Sequence, residues 1–239
     1  MKQNMQSKDE VISSVYVNMA RAFEQNTDQC VFVVDYQTRS VPYMSNNITK
    51  QLGVDVEVIN RKGVDFYEDY TKAEDFKMFS IIRDSAIRFL SSLVPVDRIE
   101  YTFSYNLQIR CNGQERLILH KEAPLTFTEE GNVSLALCTI SFSTILHSPI
   151  SVIKRKDYAS FFEYSLVNHK WEECEGVFLN DNERNILLLS AQGYRMEDIA
   201  DVICKSIDSV KAYKRVLFQK MRVSSITEAV MFAHIHQLL

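Results

Sequence analysis

Glycine is scarce in this chain: six residues in 239, none at the spacing of a loop that wraps a phosphate. That excludes a P-loop or a dinucleotide-binding turn. Gly-x-Ser-x-Gly and His-Glu-x-x-His are also missing, so no hydrolase nucleophile elbow and no zinc-protease helix is encoded. No run approaches the about 18 consecutive apolar residues that a membrane-spanning helix needs. The opening MKQNMQSKDEVISS lacks the apolar segment of a secretory signal. A soluble, cytoplasmic protein without membrane contact is expected. The five cysteines (Cys30, Cys111, Cys138, Cys174, Cys204) are odd in number and never form a Cys-x-x-Cys pair, against a disulfide framework or a zinc knuckle. Each is read as a small buried hydrophobe. No catalytic residue, metal ligand or resident cofactor is expected, and the chain is read as a non-enzyme.

Charge is present, and it is concentrated. Residues 205–222, KSIDSVKAYKRVLFQKMR, hold six cations (Lys205, Lys211, Lys214, Arg215, Lys220, Arg222) against one acid, Asp208. This is a local +5 in a chain of formal net charge −4, so the remainder carries −9. At about 100° per residue, Val210, Tyr213, Leu217 and Met221 share one helical stripe. Lys211, Arg215, Gln219 and Arg222 fall on another, with Lys214 between them. A helix that packs on one side and shows cations on the other suits the major groove of DNA; a solvated surface helix is the competing reading.

The flanks favour the groove. Asn180 and Glu183 form a capping box ahead of Ile186-Leu187-Leu188-Leu189, and Gly193 ends that helix. A second short helix turns Ile199, Ala200 and Ile203 inward. Ser206 is placed to cap the basic helix. Ser225 and Glu228 open a fourth helix with Ile226, Ala229, Val230 and Ala233 on its apolar side. Short helices with tight connections, the third one basic, describe a helix-turn-helix domain.

On these residues, Leu179 to Leu239 resembles the LuxR-type (GerE- or NarL-type) DNA-binding domain. The residues that carry the likeness are Leu179 and Glu183, Ala191-x-Gly193, Asp198-Ile199-Ala200, Ser209-Val210-Lys211, Lys220-Met221-Arg222-Val223 and Glu228-Ala229. The chain departs from the family pattern at Asn180, Tyr213, Val216 and Ile226. The resemblance implies that Lys211, Ala212 and Arg215 face bases. Lys205, Ser206, Ser209, Lys214, Gln219, Lys220 and Arg222 complete the DNA-binding set, with Lys205, Lys214 and Lys220 assigned to phosphate. It also implies a dimer contact through Ile226, Ala229, Val230 and Ala233. The implied partners are double-stranded DNA, a second copy of the chain and RNA polymerase.

The first 148 residues follow a different pattern. Residues 10–25 form an amphipathic helix with Val11, Val15, Met19 and Phe23 on one stripe. Cys30–Asp35 and Val41–Ser45 are strands in a hairpin, Asn47–Leu52 is a short helix ended by Gly53, and 74–93 is a longer helix. Strands at 99–110, 116–128 and 133–143 are joined by turns at Asn112-Gly113 and Glu129–Asn132. A phosphate-receiving regulator domain, whose strands lie parallel, is excluded by these hairpins.

Residues 28–145 thus resemble a PAS domain, on the strand ending in Asp35, the hairpin into Tyr43-Met44-Ser45-Asn46 and the helix closing at Leu52-Gly53. No Asn-Cys-Arg-Phe photoreceptor run occurs, and His120 is read as structural. The resemblance implies one five-stranded antiparallel sheet with helices across one face and a cavity between them. Phe103, Tyr105, Leu107, Leu117 and Leu119 are candidate lining residues, the sequence leaving open which face of each strand points inward. An unknown small-molecule ligand fills that cavity, or Phe66, Phe76, Phe79, Phe89, Phe103 and Phe127 do; a small or absent ligand is the favoured side. Between the parts, Lys154-Arg155-Lys156 reads as solvated linker, and Phe161–Val167 with Lys170–Cys174 as a hairpin anchored by Trp171.

The expected class is therefore α+β: a PAS-like sensor or dimerisation domain at 1–148, a linker at 149–178 and an all-α four-helix LuxR-type domain at 179–239. The expected function is sequence-specific transcription regulation. The alternative is a PAS-like sensory or scaffolding protein whose C-terminal helices bind a protein partner.

Overall fold

The computed structural model describes residues 8–142, 151–156, 158, 160–236 and 238. They divide into two compact units. One holds the N-terminal helices and strands together with 151–153 and 164–170; the other holds the C-terminal helices with the rest of the intervening segment.

The first unit begins with α1 (Lys8–Glu24), then β1 (Cys30–Asp35) and β2 (Ser40–Met44). A single π-type turn, Ile48–Leu52, closes at Gly53 in the left-handed region, φ 66°. Two helices follow, α2 (Val56–Lys62) and α3 (Ala73–Ser92), separated by a 3-10 segment at Gly63–Asp69. Then come β3 (Tyr101–Cys111), β4 (Gln114–Phe127) and β5 (Val133–Phe142). Asn112 and Gly113 both take positive φ, which is what a two-residue hairpin requires. β6 (Ser151–Arg155), β7 (Phe161–Ser165) and β8 (Lys170–Cys174) follow, the last two joined by a turn with His169 at φ 51°.

The sheet order is β2-β1-β5-β4-β3-β6-β7-β8. The first five strands, in the order β2-β1-β5-β4-β3, give the expected five-stranded antiparallel arrangement, but among the described residues the sheet continues to eight strands. The additional strand β6 contains Lys154 and Arg155, so the expected solvated linker is a strand there and Lys154 is buried. Its two preceding residues explain why: Val152 and Ile153 are buried apolar side chains. α2 was also not expected.

Register decides which side chains share a face, because residues directly opposite in antiparallel strands point the same way. Tyr105 pairs with His120 and Leu107 with Ile118. Leu117 and Leu119 pair with Gln108 and Asn106, on the other side. The expected lining set therefore splits: Phe103, Tyr105 and Leu107 face the helices, while Leu117 and Leu119 do not. The helix-facing side is packed with rings. Phe79 lies 4.5 Å from Tyr105, Tyr105 4.5 Å from His120, Phe66 4.2 Å from Tyr67, and Phe32 5.4 Å from His120 between centroids.

The opposite face buries Val31, Val33, Tyr43 and Leu135 under Tyr16, Val17 and Ala20 of α1. The stripe expected to pack, Val15, Met19 and Phe23, faces outward, at 50, 60 and 44% exposure. Small Ala20 permits the closer approach to the sheet, so the helix sits about one residue rotated from the reading of its largest side chains; Val11 lies outside the side chains described.

The second unit contains α4 (Asp181–Ala191), α5 (Met196–Val202), α6 (Ile207–Met221) and α7 (Ile226–Ile235). Seven residues of α5 would not hold a helix alone in water; burial of Ile199 and Ala200 against Ile186 and Val210 holds it in place. A second cluster joins Leu179, Leu187, Leu217, Met221, Ala229 and Ala233. Each large side chain buried there contributes about 1.5–3 kcal/mol. Among the described residues, no helix is long and apolar enough to cross a membrane.

Candidate nucleic-acid interface

The cap of α6 sets the interface. Ser206 Oγ accepts from the Ser209 backbone N–H at 3.2 Å. The turn before it passes through Cys204 at φ 52°, a left-handed residue that lets α5 and α6 meet over a short connection. Val210, Leu217 and Met221 are buried, which fixes the rotation of the helix. Lys211, Ala212, Arg215 and Gln219 are then exposed on the opposite side, with Lys205, Ser206 and Arg222 exposed at its ends; Ser209 and Lys214 are half-buried. Arg222 ends the helix in the left-handed region, φ 54°. A shallow groove of about 450 Å³ runs along this side, lined by Met196, Lys211, Lys214, Arg215, Phe218, Gln219 and Val223. Lys211 Nζ is 3.2 Å from Asp208 Oδ1, an exposed pair that costs little to exchange for a phosphate.

Lys220, Ile226, Ala229, Val230 and Ala233, all expected site residues, have partners within their own unit. Lys220 Nζ donates to Glu183 Oε2 at 2.7 Å and to the Phe178 carbonyl at 3.2 Å. The ammonium assigned to phosphate is thus tied to the carboxylate that closes the α4 capping box. Ala229 and Ala233 are fully buried in the unit's own core, and Ile226, Val230 and Phe232 pack against it. The apolar side of α7 thus packs on α4 and α6, with Ala229 and Ala233 covered and Ile226, Val230 and Phe232 half-buried. Tyr213 lies on the packing side, its hydroxyl accepting from Asn182 Nδ2 at 3.1 Å. Cys204 is exposed and Cys174 half-buried, so only Cys30, Cys111 and Cys138 are the buried thiols expected of all five.

A second polar cluster lies among the rings of the first unit. His120 Nδ1 is held by the Tyr105 hydroxyl at 2.7 Å and the Tyr67 hydroxyl at 3.0 Å. Tyr36 donates to Glu122 Oε1 at 2.6 Å. Arg83 donates to the Val64 carbonyl at 2.9 Å and to Asp65 at 2.8 Å. Burial, then the Arg83 charge, pushes the His120 imidazole down to about 3, so the ring is neutral. Burial pushes the Glu122 carboxyl up to about 7, the Tyr36 hydrogen bond and Arg83 pulling the other way. The sequence pattern that carries this cluster is His120-x-Glu122, two polar side chains on the same face of a strand; Tyr36, Arg83 and Cys138 come from other elements and leave no local signal.

Residues 178–233 match the family described as bacterial regulatory proteins, luxR family (GerE). This part of the chain is a LuxR-family helix-turn-helix domain. Among solved structures, the chain is similar to the phage VqmA–DPO complex, at 13% identity over 93% of this chain and 89% of that one, with a TM-score of 0.38. It is similar to the Vibrio cholerae VqmA dimer in the absence of target DNA at 14% identity over 92% and 87%, TM-score 0.35. A PAS domain from Colwellia psychrerythraea is similar at 14% identity over 54% of this chain and 98% of that one, TM-score 0.40. No curated protein sequence matches the chain.

Proposed function

We propose that this chain is a sequence-specific, DNA-binding transcriptional regulator whose PAS-like unit receives a signal or pairs two copies. The observation that supports it most is the division of α6 into a buried stripe, Val210, Leu217 and Met221, and an exposed one, Lys211, Ala212, Arg215 and Gln219. Buried on one side in a LuxR-family domain, the helix is free to enter the major groove with the other. Arg215 is suited to a bidentate contact with guanine, Lys211 to guanine or phosphate, and Ala212 to a thymine methyl. Lys205, Lys214 and Arg222 neutralise backbone phosphates and set the docking register.

Two copies would read two half-sites about one helical turn apart. The exposed α1 stripe Val15, Met19 and Phe23 offers an apolar surface for pairing with a second copy, as do the half-buried Ile226 and Val230 of α7. The ring-filled interior favours a small or absent ligand in the PAS-like unit, and the protein works in the cytoplasm, with RNA polymerase as its further partner.

The test is binding to a duplex selected from a random library. Lys211→Ala and Arg215→Ala should each cost about 1–3 kcal/mol of binding with unchanged unfolding temperature, and affinity should fall log-linearly with salt. A flat salt response, or parent-like affinity in both variants, overturns the reading.

A further inference from the structure

We propose that the buried face of the PAS-like sheet binds one divalent transition-metal ion, zinc in the first instance, on His120 Nε2, Glu122 Oε2 and Cys138 Sγ. The register builds the site. Glu122 on β4 stands directly opposite Cys138 on β5, and His120 lies two residues from Glu122, on the same face. All three residues are buried, and their donor atoms lie within 4.8 Å of one another.

Two independent features point to an ion. His120 Nε2 is buried and has no hydrogen-bond partner, while Glu122 Oε2 stands 3.9 Å from it. That is too far for a hydrogen bond and close to the separation of two donors around one ion. Zinc takes N and O donors at about 2.0–2.2 Å and thiolate at about 2.3 Å, so the three atoms need to close by roughly an ångström at most. The other atoms of the same side chains are already held as outer-shell partners hold them. Tyr36 occupies Glu122 Oε1 and leaves Oε2. The Tyr67 and Tyr105 hydroxyls meet His120 at Nδ1 and leave Nε2, so in the bound state Nδ1 carries the proton and donates to a tyrosine oxygen.

The charges also balance. A thiolate and a carboxylate neutralise a +2 ion, and the neighbouring Arg83 is itself paired with Asp65 at 2.8 Å. Binding forms the metal–sulfur bond and releases the Cys138 thiol proton, together with any proton on Glu122, to solvent. An N, O, S donor set is of the borderline kind that takes zinc and cobalt(II) and passes over magnesium and calcium.

The test uses the full chain, freed of any affinity tag and stripped of metal, titrated with Zn²⁺ by calorimetry and with Co²⁺ by absorption. One ion per chain is expected, with a near-ultraviolet thiolate-to-cobalt charge-transfer band. Cys138→Ser should abolish that band and Cys204→Ser, at the exposed thiol, should keep it. Glu122→Gln and His120→Asn should each weaken Zn²⁺ binding by at least roughly 10-fold, the loss that even outer-shell changes cause. Serine and glutamine nearly match the volumes they replace; if one variant fails to fold, the other still removes a ligand of its own. No one-to-one binding, cobalt uptake without the thiolate band, or a band surviving in Cys138→Ser overturns the assignment.

Discussion

Lys220, near the end of the basic helix, places its ammonium 2.7 Å from Glu183 Oε2 in the first turn of α4. The same oxygen accepts from the Asn180 backbone N–H at 2.9 Å, while Asn180 Oδ1 accepts from the Glu183 N–H at 2.9 Å. The Glu183 side chain is 2% exposed and that of Lys220 37%. One carboxylate thus caps α4 and tethers α6, the helix that carries the proposed DNA-reading face.

Removing Lys220 should therefore act on stability before it acts on binding. Breaking a fully buried pair costs roughly 3–5 kcal/mol; with the lysine head one-third exposed, Lys220→Ala should cost about 1–3 kcal/mol in a urea titration. Its slope of log affinity against log salt should stay near that of the parent. Lys214→Ala should lower that slope by about 1. The reverse pattern would return Lys220 to the phosphate contacts.

Arg222 couples the two properties differently. A side chain in the left-handed region costs about 1–2 kcal/mol, which glycine does not incur, although glycine gives back part of this as unfolded-chain entropy. Arg222→Gly should raise stability by a few tenths to about 1 kcal/mol while weakening DNA binding. Arg222→Ala should weaken binding equally without the gain in stability. Thermal unfolding and salt-dependent affinity on the same two variants separate the backbone effect from the charge.

Gly63 tests the packing that seats the 3-10 segment over the sheet. Its φ is 55°, and a Cβ there would lie 1.9 Å from the Arg39 carbonyl oxygen, a backbone atom without freedom to yield. Gly63→Ala should cost on the order of 2 kcal/mol or more. Gly113→Ala, also at positive φ but with open space around it, should cost less. Equal losses at the two positions would mean that conformation alone, and not the contact with Arg39, sets the requirement.

The helical unit was legible because its signals are local. Asn180 with Glu183, and Ser206 with Ser209, sit within one turn of each other, and the Val210–Leu217–Met221 stripe follows from helical period alone. What escaped depends on distant partners. Which of Leu107, Leu117 and Leu119 line the helix-facing side was open in the sequence because the β3–β4 register, not the composition of either strand, decides which face each takes. Lys154 reads as a linker cation until Val152 and Ile153 are seen buried beside it; its ammonium donates to the His236 carbonyl. Ala229 and Ala233 have the same composition whether they face a second copy or their own core. Lys220 belongs to the same class, since Glu183 lies far from it in sequence.

In the metal-free protein, buried His120 and Glu122 should give opposing pH dependences that mask each other in the parent. His120 is held at about 3 against an ordinary value of 6.5. The unfolded chain therefore takes up a proton that the folded chain refuses, and stability falls as pH drops from 6.5 towards 3. Glu122 is held at about 7 against 4.5. Here the folded chain keeps a proton that the unfolded chain releases, so stability is fully present below 4.5 and is lost as pH rises through 7. Between 4.5 and 6.5 the two slopes have opposite sign and largely cancel. Glu122→Gln should uncover the histidine, giving metal-free protein that weakens on acidification below 6.5. His120→Asn should uncover the glutamate, giving protein that weakens as pH rises from 4.5 to 7. Neither slope should exceed about 1.4 kcal/mol per pH unit, the limit for a single proton. Urea midpoints measured across pH 4–8 on both variants decide it, and slopes of the same sign in the two would refute the assignment of the buried proton.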